Sequence, residues 1–423
     1  MDKLSPQFAT QRAVEAVWRI EAARLIAGLT RMTRDVGLAE ELASDALVVA
    51  LQQWPESGIP NNPGAWLMQI AKRRAIDQFR RNKVMAEKAM PELTHEAELR
   101  EQEAPDYDER LDDDVKDNVL SLIFTACHPI LSAEARSALT LRLVGGLTTA
   151  EIARAYLVPE PTIQQRIVRA KKTLADAKVP FEVPRGTDRA QRLGSVLEVL
   201  YLIFNEGYSA TAGSDWMRTE LCDEALRVGR ILARLAPEEA EVHGLVALME
   251  IQASRSAART RRDGSPILLL EQDRAKWNQI SIRRGLAALE QAQELGGRNG
   301  TYALQAAIAA CHARAFRAAD TDWKQIAALY DELAITTPSP IVELNRAVAY
   351  SMAVGPEAGL RLLEPLLEIP QLRGYHLLPS VRGDLLNRLG RHDEARAEFA
   401  RAAEMTRNEQ EKALLLKRAA GQA

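Results

Sequence analysis

The spacing of apolar residues between positions 147 and 174, LTTAEIARAYLVPEPTIQQRIVRAKKTL, predicts two helices joined by a tight turn. In the second helix, one face is apolar: Ile163, Ile167, Ala170 and Leu174. The opposite face carries hydrogen-bond donors and acceptors: Thr162, Gln165, Arg166, Arg169 and Lys172. Pro161 suits a first helical turn, where its missing N–H has no partner anyway. The pattern predicts a helix-turn-helix whose second helix offers one face to phosphates and base edges.

Residues 10–84 show a helical apolar pattern in three segments. The second segment stops at the loop PESGIPNNP, which contains three prolines and one glycine. The third segment, NPGAWLMQIAKRRAIDQFRRNK, places most of its charged residues within an arc of about 120°. These are Arg73, Arg74, Asp77, Arg80 and Arg81. Such a face indicates either a nucleic-acid contact or an ordinary solvated helix face.

Residues 85–114 are polar and acidic and contain few large apolar side chains. A segment of this composition cannot bury enough apolar surface to offset the entropy of ordering. We therefore expect a flexible acidic linker, followed by a second small domain over residues 115–178 that contains the helix-turn-helix. The Pro- and Gly-containing stretch VPFEVPRGT then predicts a hinge.

Helical patterns continue through residues 185–423, with signs of an internal repeat. The spacing is clearest near the end of the chain, at Gly383, Leu386, Gly390, Ala395, Phe399 and Ala402. These offsets are typical of a tetratricopeptide (TPR) repeat, whose period is about 34 residues. We expect a TPR-like array of stacked helix pairs, with a helical bundle as the alternative. The whole chain is thus predicted to be all-α.

Composition and charge narrow the function. The length of 423 residues predicts two or three domains, and a hydrophobic content of 47% is enough to form their cores. No segment of the sequence resembles a membrane span or a signal peptide. Three widely spaced cysteines and six scattered histidines suggest neither a disulfide framework nor a metal site. We expect a cytoplasmic protein without cofactor or metal. The net charge of −3 conceals a pattern of two basic segments, residues 1–84 and 134–178, around the acidic linker.

The order of these parts resembles the extracytoplasmic-function (ECF) group of bacterial RNA polymerase sigma factors, in the sigma-70 family. Three helices ending in a basic helix, a linker and a basic helix-turn-helix match that family's region 2, linker and region 4. The added helical segment, with RRDGSPILLLEQDRAKW and YLIFNEGYSAT, resembles the C-terminal extension of one ECF group. The resemblance implies that residues 10–178 form two separately folded promoter-reading units.

The resemblance also assigns roles. Reading of the −10 promoter element is implied for Asn61, Asn62, Trp66, Arg73, Arg74, Asp77, Arg80 and Arg81. Capture of a base outside the stack is the expected step in the loop before the basic helix. Trp66 could equally be a core anchor, and the two asparagines could be turn residues between prolines. Asp77 could instead orient an arginine.

Reading of the −35 element is implied for Thr149, Glu160, Thr162, Gln165, Arg166, Arg169, Lys171 and Lys172. Of these, Lys171 and Lys172 are expected to hold phosphates, which sets affinity and salt dependence. Thr148 is interpreted as the cap of the first helix of the helix-turn-helix.

Docking on core RNA polymerase, through its beta-prime clamp helices and beta flap, is implied for Glu41, Asp45, Leu47, Leu51 and Trp54. The apolar members of this set could instead pack against the basic helix. The C-terminal domain is expected to regulate the sigma units or to receive a signalling protein or peptide. Its most unusual feature is a charged cluster at Arg255, Arg259, Arg261, Arg262 and Asp263, for which a solvated loop is the simple interpretation.

The predicted function is therefore that of an alternative sigma factor, which is not an enzyme and whose partners are core polymerase and promoter DNA. The main alternative is a TPR-containing helix-turn-helix activator that does not join the polymerase. It leaves the basic helix and the acidic linker unexplained. An enzyme is disfavoured because the sequence contains no phosphate-binding Gly loop, nucleophile elbow or HExxH motif.

Overall fold

The computed structural model describes residues 6–89, 111–156, 158–210, 212–213 and 216–421. Over these residues the protein is all-α, as predicted. Extended structure is limited to a two-residue parallel pair, β1 (Ala212–Gly213) with β2 (Arg407–Asn408), and one isolated bridge between Thr260 and Pro266. The chain divides into two compact units, Met1–Val199 and Leu200–Ala423.

The N-terminal unit begins with three helices: α1 (Pro6–Thr33), α2 (Val36–Ser57) and α3 (Pro63–Ala89). Asp35 starts α2, because its carboxylate accepts hydrogen bonds from the N–H groups of Gly37 and Leu38 at 2.7 and 3.1 Å. Helix α2 ends at Gly58, whose φ of 79° is readily adopted only by glycine. The predicted three-helix segment is thus present, and α1 packs against both other helices.

The next helices are α4 (Leu111–Ala126), α5 (Ala133–Leu143), α6 (Thr149–Tyr156) and α7 (Glu160–Asp176). Most of the predicted acidic linker, residues 90–110, lies outside the described residues; its two flanks, 85–89 and 111–114, belong to α3 and α4. The predicted hinge separates α7 from α8 (Gly186–Tyr208). Near the middle of α8, the Ser195 hydroxyl accepts from Arg136 of α5 and donates to the carbonyl of Cys127, the residue after α4.

The C-terminal unit contains the end of α8 and a succession of helices that pack on their neighbours in sequence. These are α9 (Thr219–Leu235), α10 (Ala240–Ala253), α11 (Gln279–Glu294), α12 (Thr301–Arg314), α13 (Trp323–Thr336), α14 (Pro340–Ala353), α15 (Pro356–Leu363), α16 (Leu377–Arg388), α17 (His392–Met405) and α18 (Glu409–Ala419). Short 3₁₀ turns occupy several of the connections, including the long loop between α10 and α11.

The last helix pair agrees with the predicted repeat offsets. Gly383 on α16 faces the Phe399 ring on α17, and a Cβ at this glycine would approach Cε1 of that ring to 2.8 Å. Gly390, with a φ of 76°, forms the turn between the helices. Leu386 and Ala402 are fully buried between them. Glycine at 383 therefore permits the close packing of this pair.

Candidate nucleic-acid interface

Helix α3 presents part of its basic face to solvent. Arg73 and Arg80 are exposed, and Arg74 is half-buried in an ion pair of 2.5 Å with Asp45 on α2. Asp77 is exposed, whereas the side chain of Arg81 lies outside the described residues. A basic face is thus present on α3, but Arg74 and the predicted docking residue Asp45 are engaged with each other.

The loop before α3 places the two asparagines differently from each other. The side-chain oxygen of Asn62 accepts a hydrogen bond of 3.0 Å from the backbone N–H of Ala65. The backbone carbonyl of Asn62 accepts one of 3.2 Å from the N–H of Trp66. Asn62 therefore caps α3, as the turn interpretation proposed. Asn61 is exposed and is the freer candidate for contact with a base.

Two tryptophans link α2 to α3. Trp66 is half-buried, and its ring packs edge-on against Trp54 with 5.3 Å between ring centroids. Trp54 is only 1% exposed. The structure therefore corrects its assignment as a polymerase contact, because a side chain interred in this core has no surface to offer a partner. Its ring instead packs against the basic helix α3, in agreement with the alternative interpretation.

The remaining predicted docking residues form a surface on α2. Glu41 and Asp45 are exposed, and Leu47 is half-buried. Leu51 is 40% exposed, and Val48, one turn before it, is 49% exposed. Acidic and apolar side chains at this helical spacing lie side by side on one face of α2.

Helices α6 and α7 form the predicted helix-turn-helix. A reciprocal cap starts α6: the N–H of Glu151 donates to the Thr148 hydroxyl at 3.1 Å, and the N–H of Thr148 donates to the Glu151 carboxylate at 2.8 Å. This arrangement confirms Thr148 as the cap. Ile152, Ile163 and Ile167 are buried, as the helical pattern predicted.

The outer face of α7 carries most of the predicted −35 residues. Gln165, Arg169 and Lys172 are exposed, and Thr162 and Arg166 are half-buried. Glu160 is exposed, and its carboxylate accepts a hydrogen bond of 2.8 Å from the Thr149 hydroxyl. Thr149 and Glu160 are thus engaged with each other, while Gln165, Arg169 and Lys172 are presented to solvent.

Lys171 is placed differently from its expected role. It forms an ion pair with Glu40 of α2, whose side chain is only 8% exposed, and Arg142 of α5 pairs with the same carboxylate at 2.5 Å. Burial raises the pKa of Glu40, but the charges of Lys171 and Arg142 outweigh it and hold that pKa below its ordinary value. In this conformation, Lys171 is therefore not a phosphate contact.

A second contact joins the two predicted promoter-reading units. Arg19 of α1 forms an ion pair of 2.8 Å with Glu151, the capping acid of α6, and α1 also packs against α4. The two predicted units thus contact each other within the compact unit Met1–Val199, and their separate folding stays a prediction. Arg73 stays exposed and Arg166 half-buried within that unit.

The sequence interpretation missed Glu40, Arg142 and Arg19. For Glu40 the sequence holds a weak signal, because its neighbours at helical spacing, Val36 and Ala43, are apolar. Partners separated by about a hundred residues, as Glu40 and Arg142 are, leave no local pattern in a single sequence.

Other kinds of site find no support in the part of the chain that the structure describes. No group of three or more His, Cys, Asp or Glu side chains could hold a metal ion there. Within the same residues, no helix has the length and apolar character needed to cross a membrane.

Comparison with known protein families gives matches to the two segments that carry the basic face of α3 and the helix-turn-helix. Residues 19–84 match Sigma-70 region 2, which contains α2 and the basic face of α3, and residues 121–174 match Sigma-70 region 4, which contains the helix-turn-helix. Residues 192–293 match a family of unknown function, DUF6596. That match leaves the TPR-like character and the ECF subgroup as predictions.

The chain is also similar to a protein of Rhizobium meliloti (strain 1021) named "Uncharacterized protein R00370". The two are 45% identical over 390 residues, which cover 92% of this chain and 90% of the relative. The similarity therefore extends through the C-terminal unit. With regions 2 and 4 in order along one chain and a basic surface on each, the protein belongs to the sigma-70 family of transcription initiation factors.

Proposed function

We propose that the protein is an alternative sigma factor of the ECF group, which binds core RNA polymerase in the cytoplasm and directs it to promoters. The observation that carries this proposal is the pair of exposed polar and basic surfaces on α3 and α7, each within the matching sigma-70 region. Donor-rich faces of this kind suit phosphates and base edges.

The −35 element would be read by α7. Gln165 and Arg169 are exposed on its outer face and have side chains suited to base edges, while Lys172 would hold a phosphate. Lys171 would join them only after its ion pair with Glu40 opens. Thr149 and Glu160, bonded to each other, would shape the start of that face.

The −10 element would be read by α3 and the loop before it. Arg73 and Arg80 are exposed and would contact the strands, and Asn61 is exposed where a flipped base could enter. Trp66, half-buried against Trp54, would form the wall of such a site. Asn62 would act indirectly, by fixing the start of α3.

Core polymerase would dock on α2, with Glu41, Val48 and Leu51 as the central contacts. We expect this face of α2 to bind the clamp helices of the beta-prime subunit. We expect the helix-turn-helix to bind the beta flap. An activator that does not join the polymerase is not favoured, because it leaves the region 2 match without a role.

Run-off transcription tests the proposal. Purified full-length protein is added to core polymerase on a library of promoter-length templates, with core enzyme alone as the control. We expect discrete transcripts from a subset of templates that share two short elements, and co-elution with core enzyme on gel filtration. Absence of both transcripts and co-elution would overturn the proposal.

We further propose that the C-terminal unit regulates the sigma unit. The signalling protein or peptide that the sequence suggested as a partner is supported neither by the comparisons nor by contacts among the described residues. A truncation test should keep residues to Val199, because Ser195 contacts Arg136 and Cys127 within the N-terminal unit. Transcription equal to that of the full chain, in vitro and in cells, would remove the regulatory role.

A further inference from the structure

Three arginines lie together in the C-terminal unit, in and beside the long loop between α10 and α11. Arg255 follows the end of α10, Arg259 follows a short 3₁₀ turn, and Arg274 begins another. Arg259 and Arg274 are only 6% and 8% exposed, and Arg255 is half-buried. The interpretation of this segment as a solvated loop is wrong for Arg259, which is buried.

Among the described residues, the hydrogen bonds of these arginines all go to neutral oxygens. Arg259 donates to the carbonyl of Tyr208. Arg274 donates to the carbonyls of His312 and Ala315 at 2.6 and 2.8 Å, and to the Thr321 hydroxyl at 3.0 Å. Asp320 acts on Arg274 electrostatically, but its carboxylate is bonded to Arg317 at 2.9 Å.

Arg255 is held more loosely than the other two. Its guanidinium donates to the side-chain amides of Gln252 at 3.1 Å and Gln272 at 3.3 Å. Both acceptors are side chains that can rotate, so a better acceptor could replace either. Arg255 is therefore the member of the cluster that a ligand could engage.

Arg218, the other buried arginine of this unit, pairs with Glu206. Two partly exposed arginines likewise pair with buried acids, Arg230 with Glu250 at 2.6 Å and Arg382 with Glu398. Buried charges are normally paired in this way, because an uncompensated charge removed from water is costly. Among the described residues, the cluster of Arg255, Arg259 and Arg274 lacks such a carboxylate.

Without a carboxylate among the described residues, the charged groups of the cluster shift one another's pKa values. Burial and the charge of Arg255 lower the pKa of both Arg259 and Arg274, and the same causes, with Arg274, lower the pKa of His312 to about 4. His312 is thus neutral at pH 7. The cluster keeps a net positive charge that aromatic rings offset only in part, with Arg259 3.5 Å from the ring centroid of Tyr208 and Arg255 5.4 Å from that of Trp277.

A cavity of about 140 Å³ lies beside the cluster. Its lining is mostly aromatic, aliphatic and amide, and includes Tyr201, Phe204, Asn205, Tyr208, Gln252 and Ile308. Two of them connect it to the cluster, since Gln252 accepts from Arg255 and Tyr208 stacks on Arg259. The buried hydroxyl of Tyr208 has no hydrogen-bond partner among the described residues.

We propose that this cavity binds a small organic carboxylate, with its carboxylate on the guanidinium of Arg255 and its ring or branched body between Tyr201, Phe204 and Ile308. A cavity of roughly 150 Å³ accommodates benzene, so a ring of that size fits the space. A planar guanidinium matches a carboxylate in a two-bond geometry. The amide of Gln252 and the hydroxyl of Tyr208 would supply polar contacts. The site is independent of the promoter-reading role.

Calorimetric titration of the full-length chain with benzoate and isovalerate tests the proposal, with benzamide and isovaleramide as neutral controls of the same shape. We expect at least one acid to bind at millimolar or lower concentration and its amide to bind at least tenfold more weakly. Equal binding of acid and amide, or no binding of either acid, would overturn it.

Variants separate a binding site from a structural cluster. Arg255→Gln should weaken acid binding at least tenfold. Arg261→Gln removes the same charge from an exposed arginine of the same loop, paired with Glu271, and should leave binding unchanged. Asn205→Phe fills the cavity without touching the arginines and should also abolish binding, with the far-ultraviolet circular dichroism retained. Unchanged affinity in both Arg255→Gln and Asn205→Phe would show that the acid binds elsewhere.

Discussion

Lys171, on the helix proposed to read the −35 element, forms an ion pair with Glu40, on the helix proposed to dock on core polymerase. The carboxylate of Glu40 is nearly buried and also accepts from Arg142, so one acid holds two cations of the second promoter-reading segment against the first. One lysine of the basic helix α7 is thus engaged within the N-terminal unit.

Replacing Glu40 should loosen this arrangement. In Glu40→Gln, two cations lose their shared acid, and removal of one partner from a buried ion pair typically costs about 3 kcal/mol. We expect a lower free energy of unfolding of the N-terminal unit, measured by urea titration, and tighter, salt-sensitive binding of the free protein to duplex DNA, because Lys171 is released. Glu41→Gln, at the exposed neighbouring position, is the matched control. Equal stability of the two variants would contradict the prediction.

Two variants of α2, one of a buried tryptophan and one of an exposed leucine, should separate effects on folding from effects on polymerase docking. Trp54→Ala removes a ring that is 1% exposed and should destabilise the protein by about 3–5 kcal/mol. Leu51→Asp changes a 40% exposed side chain and should leave the melting temperature nearly unchanged while weakening co-elution with core polymerase. If Leu51→Asp bound core enzyme normally, the docking face would have to lie elsewhere.

Two residues of α7 should have different effects on promoter binding. Gln165→Ala should cost about 1–3 kcal/mol on one promoter sequence and relax specificity at one base pair, since it would lose a base-edge contact. Lys172→Ala should weaken binding to all sequences and reduce the salt slope by about one. Fluorescence anisotropy with polymerase holoenzyme and single-base promoter variants, over a range of salt concentrations, measures both. Identical profiles for the two variants would contradict these roles.

His312 gives the C-terminal unit a defined pH dependence. Its pKa is lowered from 6.5 to about 4 by burial and the nearby arginines, so the unfolded chain binds a proton between these values and the folded chain does not. This contribution to stability is complete above pH 6.5 and is lost as pH falls from 6.5 towards 4, by an amount on the order of 3 kcal/mol. His312→Gln should flatten urea-unfolding stability over this window. An unchanged slope would mean that other groups set it.

Helix positions and the buried apolar face of α7 could be predicted from the sequence, because both follow from local periodicity. The cap by Thr148 was also predictable, since Thr and Glu at this spacing form a local motif. The pairing of Glu40 with Lys171 was not, because it depends on how distant helices pack. Trp54 shows the same limit: periodicity places it on α2, but only the tertiary structure decides that it faces Trp66 rather than solvent.

The two oxygens of Glu151 serve different partners: Oε2 accepts from Thr148 within the cap, and Oε1 accepts from Arg19 of α1. A competitor that draws Arg19 away therefore leaves the first turn of α6 fully bonded. The cap of the helix-turn-helix therefore does not depend on the α1 contact, and loss of that contact alone need not unfold the start of α6.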